Sequence, residues 1–321
     1  MWISCKGGIM IETAVIGVGG FGKNHARVLN ELEALSVVCD IDGSRARAYG
    51  RKYHVPYVTA VEDLRKFDIE AATIVTPTFT HYEVALKLLE MGVRYILVEK
   101  PFTATLKEAY ELIRKAEEYG AKLMVGFIER FNQAIEVVEK IINDGEIGKP
   151  ILYYFTRVSR WPERIQDVGV LRDTAIHDID LSNYLIDEYP EEVYATMGKL
   201  QHHKHEDFVN ILMKYPEDRT VIIEANWLTP KKTRKMRVTC TDGVVEANLL
   251  TQEITIIKRD ELSSPNLDWQ EPLLKELLYF LNCAERGIEP KPGGREAVMA
   301  LEIAELVVKS SREGKTVVIN K

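Results

Sequence analysis

The chain has 321 residues and a formal net charge of −7, with 46% hydrophobic and 28% charged residues. That length can bury a large core and predicts two domains, while the acidic balance argues against a general nucleic-acid binder. No apolar run reaches the ~18 residues that would cross a bilayer, and the scattered Cys5, Cys39, Cys240 and Cys283 form neither a disulfide framework nor a zinc pattern. Residues 1–10 lack the apolar core and cleavage site of a signal peptide. The cytoplasm is the simplest address, and Met10, just before the first strand, is a second candidate start.

From Thr13 an apolar run of strand formers ends in Gly17-Val18-Gly19-Gly20-Phe21-Gly22, and Ala26, Leu29 and Leu32 predict a helix over Lys23 to Leu35. Ser36 to Cys39 reads as a second strand ending in Asp40, followed by a helix capped by Ser44. A short strand near Tyr57 and a small helix from Val61 come next. Ala71 to Val75 is a buried strand stopped by Thr76-Pro77-Thr78, with a helix over Phe79 to Met91. Tyr95 to Val98 is a strand ending in Glu99-Lys100-Pro101. A capping box at Thr105 to Glu108 opens a helix to about Tyr119, and Lys122 to Val125 closes the series. Strands alternating with helices predict a doubly wound parallel sheet over residues 1–126, which the resemblance described below implies is a Rossmann domain.

From residue 127 to 321 the pattern changes to α+β. A helix over Gln133 to Ile142, a strand over Lys149 to Ser159 and a helix over Leu171 to Ile186 precede about five strands between Glu192 and Ile257. Short turns between those strands predict a large, mostly antiparallel, open sheet. Helices over Pro272 to Arg286 and Gly294 to Glu313 and a strand over Thr316 to Ile319 finish the chain.

The G-x-G-x-x-G turn has a physical function only between a strand and a helix, and that is where it lies. Gly17 reverses the chain, Gly19 removes the Cβ that would block a pyrophosphate, Gly22 lets the helix approach the sheet, and Gly20 lies in the same cofactor-binding turn. Phe21 and the helix N-terminus complete a phosphate site. Asp40 follows Gly22 by 18 residues, where a carboxylate takes ribose hydroxyls, with Ile41 beside it and Arg45 near enough to soften its exclusion of a 2′-phosphate. These residues predict NAD, with NADP less favoured. Ligands of such sheets collect at the C-terminal strand ends, which brings in Thr76, Pro77, His81, Glu99 and Lys100.

In the second half, Asp173 and His177 share a helix face with Asp180 one turn further on. A histidine beside a carboxylate suits proton transfer, although the same spacing also serves a helix-stabilising pair. Lys100, between a buried strand and a proline, can polarise an alcohol oxygen, or be a solvated lysine.

Together these pieces resemble the glucose-fructose oxidoreductase, inositol dehydrogenase and rhizopine-catabolism (Gfo/Idh/MocA) family. The likeness runs from Gly17–Gly22 with His25-Ala26, through Cys39-Asp40-Ile41-Asp42, Thr76-Pro77-Thr78 with His81, and Glu99-Lys100-Pro101, to Gly126-Phe127, Arg130-Phe131-Asn132 and Asp173 with His177. It implies that Lys100, Asp173 and His177 form the catalytic group of an NAD-dependent sugar dehydrogenase, with His177 accepting the alcohol proton. It also implies a cis peptide bond at Lys100–Pro101 and a homodimer or homotetramer built on the C-terminal sheet.

Arg157, Arg160, Arg164 and Arg172 crowd the approach to the catalytic helix, either as surface pairs with Glu163 and Asp167 or as ligands of an anionic substrate, with Trp161 among them. The stretch Arg160-Trp161-Pro162-Glu163-Arg164 through Val170 is similar to the branch acting on nucleotide-linked amino sugars, especially UDP-N-acetylglucosamine 3-dehydrogenases. Gln201-His202-His203-Lys204-His205-Glu206-Asp207 invites a metal reading, but contiguous histidines do not share one face of an element, so no metal is expected. Two further function classes stay open from sequence: an NAD-dependent glycoside hydrolase using transient oxidation, and a non-catalytic NAD-binding sensor.

Overall fold

The computed structural model describes residues 11–161, 168–201, 204–259 and 261–319. Met10, Cys5, Glu163, Arg164, Asp167, His202 and His203, on which expectations were placed, lie outside them. The described residues form two compact units, one running to Phe127 and including Leu273–Val298, the other comprising Ile128–Pro272 and the chain from Met299 onward. A single division near residue 126 therefore differs from the structure in one respect: the chain returns to the first unit.

The first unit runs β1 (Thr13–Ile16), α1 (Gly22–Glu31), β2 (Leu35–Cys39), α2 (Gly43–Tyr53), β3 (Tyr57–Val58), β4 (Ala71–Ile74), α3 (His81–Glu90), β5 (Tyr95–Glu99), α4 (Leu106–Tyr119) and β6 (Lys122–Gly126). Its strands pair in parallel in the order β3-β2-β1-β4-β5-β6, the doubly wound order expected of a dinucleotide fold. Every residue of β1, β4 and β5 is buried, which is why these strands read as continuous apolar runs. Two local expectations shift. α1 stops at Glu31 because the chain passes through Glu33 at φ +58° to reach β2, and Asp42, not Ser44, caps α2 by accepting from the Ser44 and Arg45 N–H groups. The capping box of Thr105 and Glu108 is present as written in the sequence.

The second unit begins with α5 (Gln133–Asn143), β7 (Pro150–Arg160) and α6 (Ile176–Ile186). The strands β8 (Glu192–Gly198), β9 (Phe208–Lys214), β10 (Thr220–Asn226), β11 (Leu228–Cys240), β12 (Val244–Asn248), β13 (Ile254–Lys258) and β14 (Glu261–Ser263) follow. The chain continues with α7 (Pro272–Arg286), α8 (Gly294–Glu313) and β15 (Val317–Val318), of which Leu273–Val298 belong to the first unit. Among the described residues nine strands form one sheet in the order β14-β13-β12-β11-β7-β10-β9-β8-β15. Only β7 and β10 pair in parallel within it. One face is core: Tyr153 and Phe155 on β7, Val209, Ile211 and Met213 on β9, Val221 and Ile223 on β10, and Met236 and Val238 on β11 are all buried. On the other face, register aligns Tyr194, Leu212, Ile222 and Tyr154 in one row across β8, β9, β10 and β7. Tyr194 is 38% and Leu212 44% exposed, so this row is an apolar stripe open to solvent.

α7 belongs to the first unit from Leu273 onward and buries Leu277, Phe280 and Leu281. It also carries Glu276, which is wholly buried with no hydrogen-bond partner on either carboxylate oxygen. Burial first, then the charge of Glu99, raise its pKa well above the ordinary glutamate value. A raised acid contributes stability that is fully present below its unfolded pKa and is lost as pH rises through its folded one. The melting temperature should therefore fall as pH climbs above the ordinary glutamate range, and Glu276→Gln should flatten that slope. Superimposable pH–melting curves for the two proteins would exclude Glu276 as its source.

Candidate active site

The turn after β1 is shaped by contacts that admit no side chain at two positions. Gly17 lies at φ +87°, and a Cβ there would meet the Val75 carbonyl oxygen at 2.6 Å. A Cβ on Gly22 would lie 1.7 Å from the Gly17 carbonyl oxygen, so the start of α1 folds directly over the turn. Nothing comes within 4 Å of a Cβ built on Gly20, which leaves the outer side of the turn open. No side chain caps α1, so its positive end is available to a phosphate. The residues present fit a dinucleotide.

At the end of β2, Asp40 is 5% exposed and accepts from the Val18 and Asp42 backbone N–H groups, each at 2.9 Å. Arg45 pairs with it, and Ile41 stands 93% exposed beside it. After β4, Thr80 donates to the Pro77 carbonyl and bonds the Thr76 hydroxyl, both at 2.7 Å. His81 is buried between the carbonyl oxygens of Thr76 and Pro101, each 2.9 Å from a ring nitrogen. Two carbonyls ask for two N–H donors, but burial opposes the charge that would supply both and lowers the pKa of His81. This histidine ties the loop after β4 to the loop after β5.

In that second loop the Lys100–Pro101 bond is cis, as the resemblance implies, and so is Lys291–Pro292. Glu99 is fixed at both oxygens, by His25 Nε2 at 3.1 Å and by the Lys100 backbone N–H at 3.1 Å. A Cβ on Gly126 would fall 2.6 Å from that carboxylate, so β6 can lie beside Glu99 only without a side chain. The half-buried Lys100 thus follows an anchored residue at the C-terminal edge of the sheet.

In the second unit the helix predicted from Leu171 opens with a π-helical turn over Leu171–Ala175 and continues as α6. The π turn carries Asp173, a frequent location for functional residues, and α6 carries His177, which is 8% exposed. Trp227 Nε1 donates to the Thr174 hydroxyl at 3.0 Å, and that hydroxyl donates to Asp173 at 3.1 Å, so a relay holds the carboxylate. Trp161 packs edge-on against Trp227, with centroids 4.8 Å apart.

Two buried ion pairs follow His177 along α6. Asp178 receives a bidentate Arg157 at 2.7–3.0 Å, and Asp180 a bidentate Arg130 at 2.6–2.7 Å. Arg130 also stacks on Tyr184 at 4.7 Å. Arg157 reaches Glu129 at 2.7 Å, and Arg234 reaches the same carboxylate at 2.8 Å. Burial disfavours the charge on Glu129, but Arg157 and Arg234 outweigh it and hold its pKa below the ordinary value.

This arrangement corrects one expectation. Arg157 is 3% exposed, and its guanidinium is committed to Asp178 and Glu129, so it positions α6 and is withdrawn from the substrate set. Inward-facing β7 positions place it in the core, where a charge persists only when paired. Arg172 pairs with Glu305, and the exposed Arg160 donates to the Pro230 carbonyl at 2.9 Å. Sequence reasoning missed Glu129, Asp178, Thr174 and Trp227. The only available signal was an arginine at an inward position of a strand, which demands acidic partners. It also missed Glu206, whose carboxylate accepts from the Leu171 N–H at 3.1 Å and fixes the start of the π turn. Asp207 accepts from the Leu200 and Gln201 N–H groups. Among the described residues no group of three His, Cys, Asp or Glu is placed to hold a metal ion, and no helix is long and apolar enough to cross a membrane.

Comparison with known proteins gives two family matches. Residues 11–127 match an oxidoreductase family with an NAD-binding Rossmann fold, and residues 135–246 match the GFO/IDH/MocA C-terminal domain. The inositol 2-dehydrogenase of Rhizobium meliloti is 28% identical, over 96% of this chain and 99% of its own. The UDP-N-acetylglucosamine 3-dehydrogenase of Acidithiobacillus ferrooxidans is 29% identical over 86% of this chain and 89% of its own. A solved structure of that enzyme superposes with a TM-score of 0.87 at 27% identity, covering 95% of this chain and 98% of the other. The 2,7-anhydro-N-acetylneuraminate hydratase of Mediterraneibacter gnavus is 27% identical over 66% of this chain, which spans 60% of that relative. With a glycine turn, a carboxylate after β2 and a Glu-Lys-cis-Pro edge on one parallel sheet, and with both family domains matched, the chain belongs to the GFO/IDH/MocA family of NAD-binding oxidoreductases.

Proposed function

We propose that the protein oxidises a secondary alcohol of a sugar with NAD, and that its substrate is a nucleotide-linked amino sugar, UDP-N-acetylglucosamine oxidised at C3. The observation that carries the reading is the treatment of α6, where a nearly buried His177 is followed by two buried ion pairs, at Asp178 and Asp180, and preceded by a relayed Asp173. So much fixed charge around one imidazole suits a group that must hold its place while a proton moves. Gly17, Gly19, Gly20, Phe21 and Gly22 receive the pyrophosphate, and Asp40 the ribose hydroxyls. Thr76, Pro77, His81 and Glu99 shape the sheet edge. His177 accepts the hydroxyl proton, Lys100 stabilises the negative charge that develops on oxygen, and Asp173 orients substrate or imidazole. NAD supplies the hydride acceptor. Arg160, Trp161 and Arg172 remain the candidates for the nucleotide part. The choice of sugar is supported by the near full-length likeness to the UDP-N-acetylglucosamine enzyme, and the inositol relative defines the broader polyol class.

The apolar row on the open sheet face supports a homodimer or homotetramer, and a monomeric sedimentation mass at micromolar concentration would refute it. The functional test is incubation with NAD and UDP-N-acetylglucosamine. NADH accumulation with a 3-keto product is expected, and accumulation with inositol alone would move the assignment to that branch. The hydratase relative gives a second reading specific weight: product release without net NADH would assign the protein to transient-oxidation chemistry.

A further inference from the structure

β7 and β11 set two arginines side by side. Arg157 and Arg234 are register partners on this antiparallel pair, so both side chains leave the same face of the sheet, the one on which Arg157 meets α6. Their guanidinium groups converge on one atom: Glu129 Oε1 accepts from Arg157 Nη1 at 2.7 Å and from Arg234 Nη1 at 2.8 Å. From there the two differ. Arg157 gives its remaining edge to Asp178, the residue after His177, and its side chain is 4% exposed. Arg234 makes only the bond to Glu129 with its side chain, which is 34% exposed. A guanidinium carries five N–H donors in a fixed fork, so Nε and Nη2 of Arg234 are uncommitted among the described residues. Arg130 and Arg172, by contrast, are paired with Asp180 and Glu305. Burial and then Arg157 oppose the charge on Arg234 and lower its pKa, against the pull of Glu129, Asp178 and Asp173. The carboxylate on the π turn therefore lies within electrostatic reach of this arginine.

We propose that Arg234 is a substrate-binding residue whose outer edge receives an oxyanion carried by the sugar, either the diphosphate of a nucleotide sugar or the carboxylate of a uronic acid. Resting on His177 as the proton acceptor proposed above, this makes the site selective for acidic sugars over neutral polyols. Glu129 is itself fixed, at Oε1 by Arg157 and at Oε2 by the Asn132 amide at 3.2 Å. That anchor holds one edge of the Arg234 guanidinium and presets the other, so little side-chain freedom is lost when two anionic oxygens bind it. The fork matches phosphate and carboxylate oxygens alike. An arriving anion also offsets the repulsion between the two adjacent arginines.

The test is calorimetric titration of the NADH-loaded full-length protein with two probes, UDP for the phosphate and D-glucuronate for the carboxylate. Wild type should bind at least one, and Arg234→Met should weaken that one at least about tenfold. Which probe responds tells the diphosphate from the uronic acid. Arg234→Lys keeps an ion pair with Glu129 but not the fork, and should stay at least about threefold weaker than wild type. Full recovery in the lysine variant would assign the loss to the missing ion pair and overturn the proposal. Unchanged affinity in Arg234→Met would overturn it too, as would a wild type that binds neither probe at about 10 mM. If Arg234→Met fails to melt cooperatively, Arg234→Gln, which keeps a donor for Glu129, is read by the same outcomes. Turnover of UDP-N-acetylglucosamine is followed in parallel. Wild-type turnover with unchanged probe affinities in the variants defeats the role of Arg234 alone, and lost affinity without wild-type turnover defeats the choice of sugar alone.

Discussion

Replacing His177 by asparagine is expected to lower turnover on the proposed sugar substrate by about 10²–10⁴-fold while leaving the NADH dissociation constant within about threefold of wild type. Asparagine preserves polarity and approximate size but cannot accept and release a proton near neutral pH. Because His177 belongs to the second unit, the glycine turn and Asp40 are untouched by the change, and binding of NADH separates lost chemistry from lost folding. Lys100→Met should also lower turnover by at least about 10²-fold, through the charge it removes from the developing alkoxide. A His177→Asn enzyme that kept a tenth of wild-type turnover would exclude the histidine as proton acceptor. The residue at Asp173 would then be the first to examine.

The second large effect is on stability. Arg157→Met should destabilise the protein by about 3–5 kcal/mol, because it leaves the carboxylates of Glu129 and Asp178 buried without their shared cation. A melting temperature lowered on the order of 10 °C is the expected readout. Arg157→Lys should recover only part of the loss, since one ammonium cannot reproduce the bidentate fork to Asp178 together with the bond to Glu129. Converting Arg157, Glu129 and Asp178 together with Arg234, the second cation on Glu129, to apolar residues of similar size should recover much of it, the cost lying in the unpaired charge and not in the missing attraction. A melting temperature for Arg157→Met within 2 °C of wild type would mean that water or other partners neutralise the cluster.

The first unit was legible because each of its signals is local. The glycine turn, the apolar runs of β1, β4 and β5, and the Thr105 capping box each act over a few neighbouring residues, and composition alone announces them. The antiparallel character of the second sheet was also readable, from alternation and short turns. What stayed hidden depends on pairing between distant segments. Arg157 looked like one of four arginines near a substrate, and only the three-dimensional return of residues 129 and 178 shows its charge to be consumed. The π turn at Leu171–Ala175 was hidden for the same reason, since Glu206 secures its first N–H from 35 residues away. His177 itself was marked by type and spacing, but the ion pairs that follow it at Asp178 and Asp180 were not.

The passage of Leu273–Val298 back into the first unit bears on how the protein is made. β6 is not finished by its own neighbours in sequence: its Val125 N–H donates to the Pro292 carbonyl, and Lys122 reaches the Gly287 carbonyl. The apolar face of α7, with Leu277, Phe280 and Leu281, fills the same unit. Domains generally form in the order they leave the ribosome, but here the first unit lacks α7 until β7 to β14 of the second have emerged. Its apolar surface therefore stays exposed while β7 to β14 are being synthesised, and the nucleotide-binding unit, though it starts earlier in the chain, closes only after those strands have emerged.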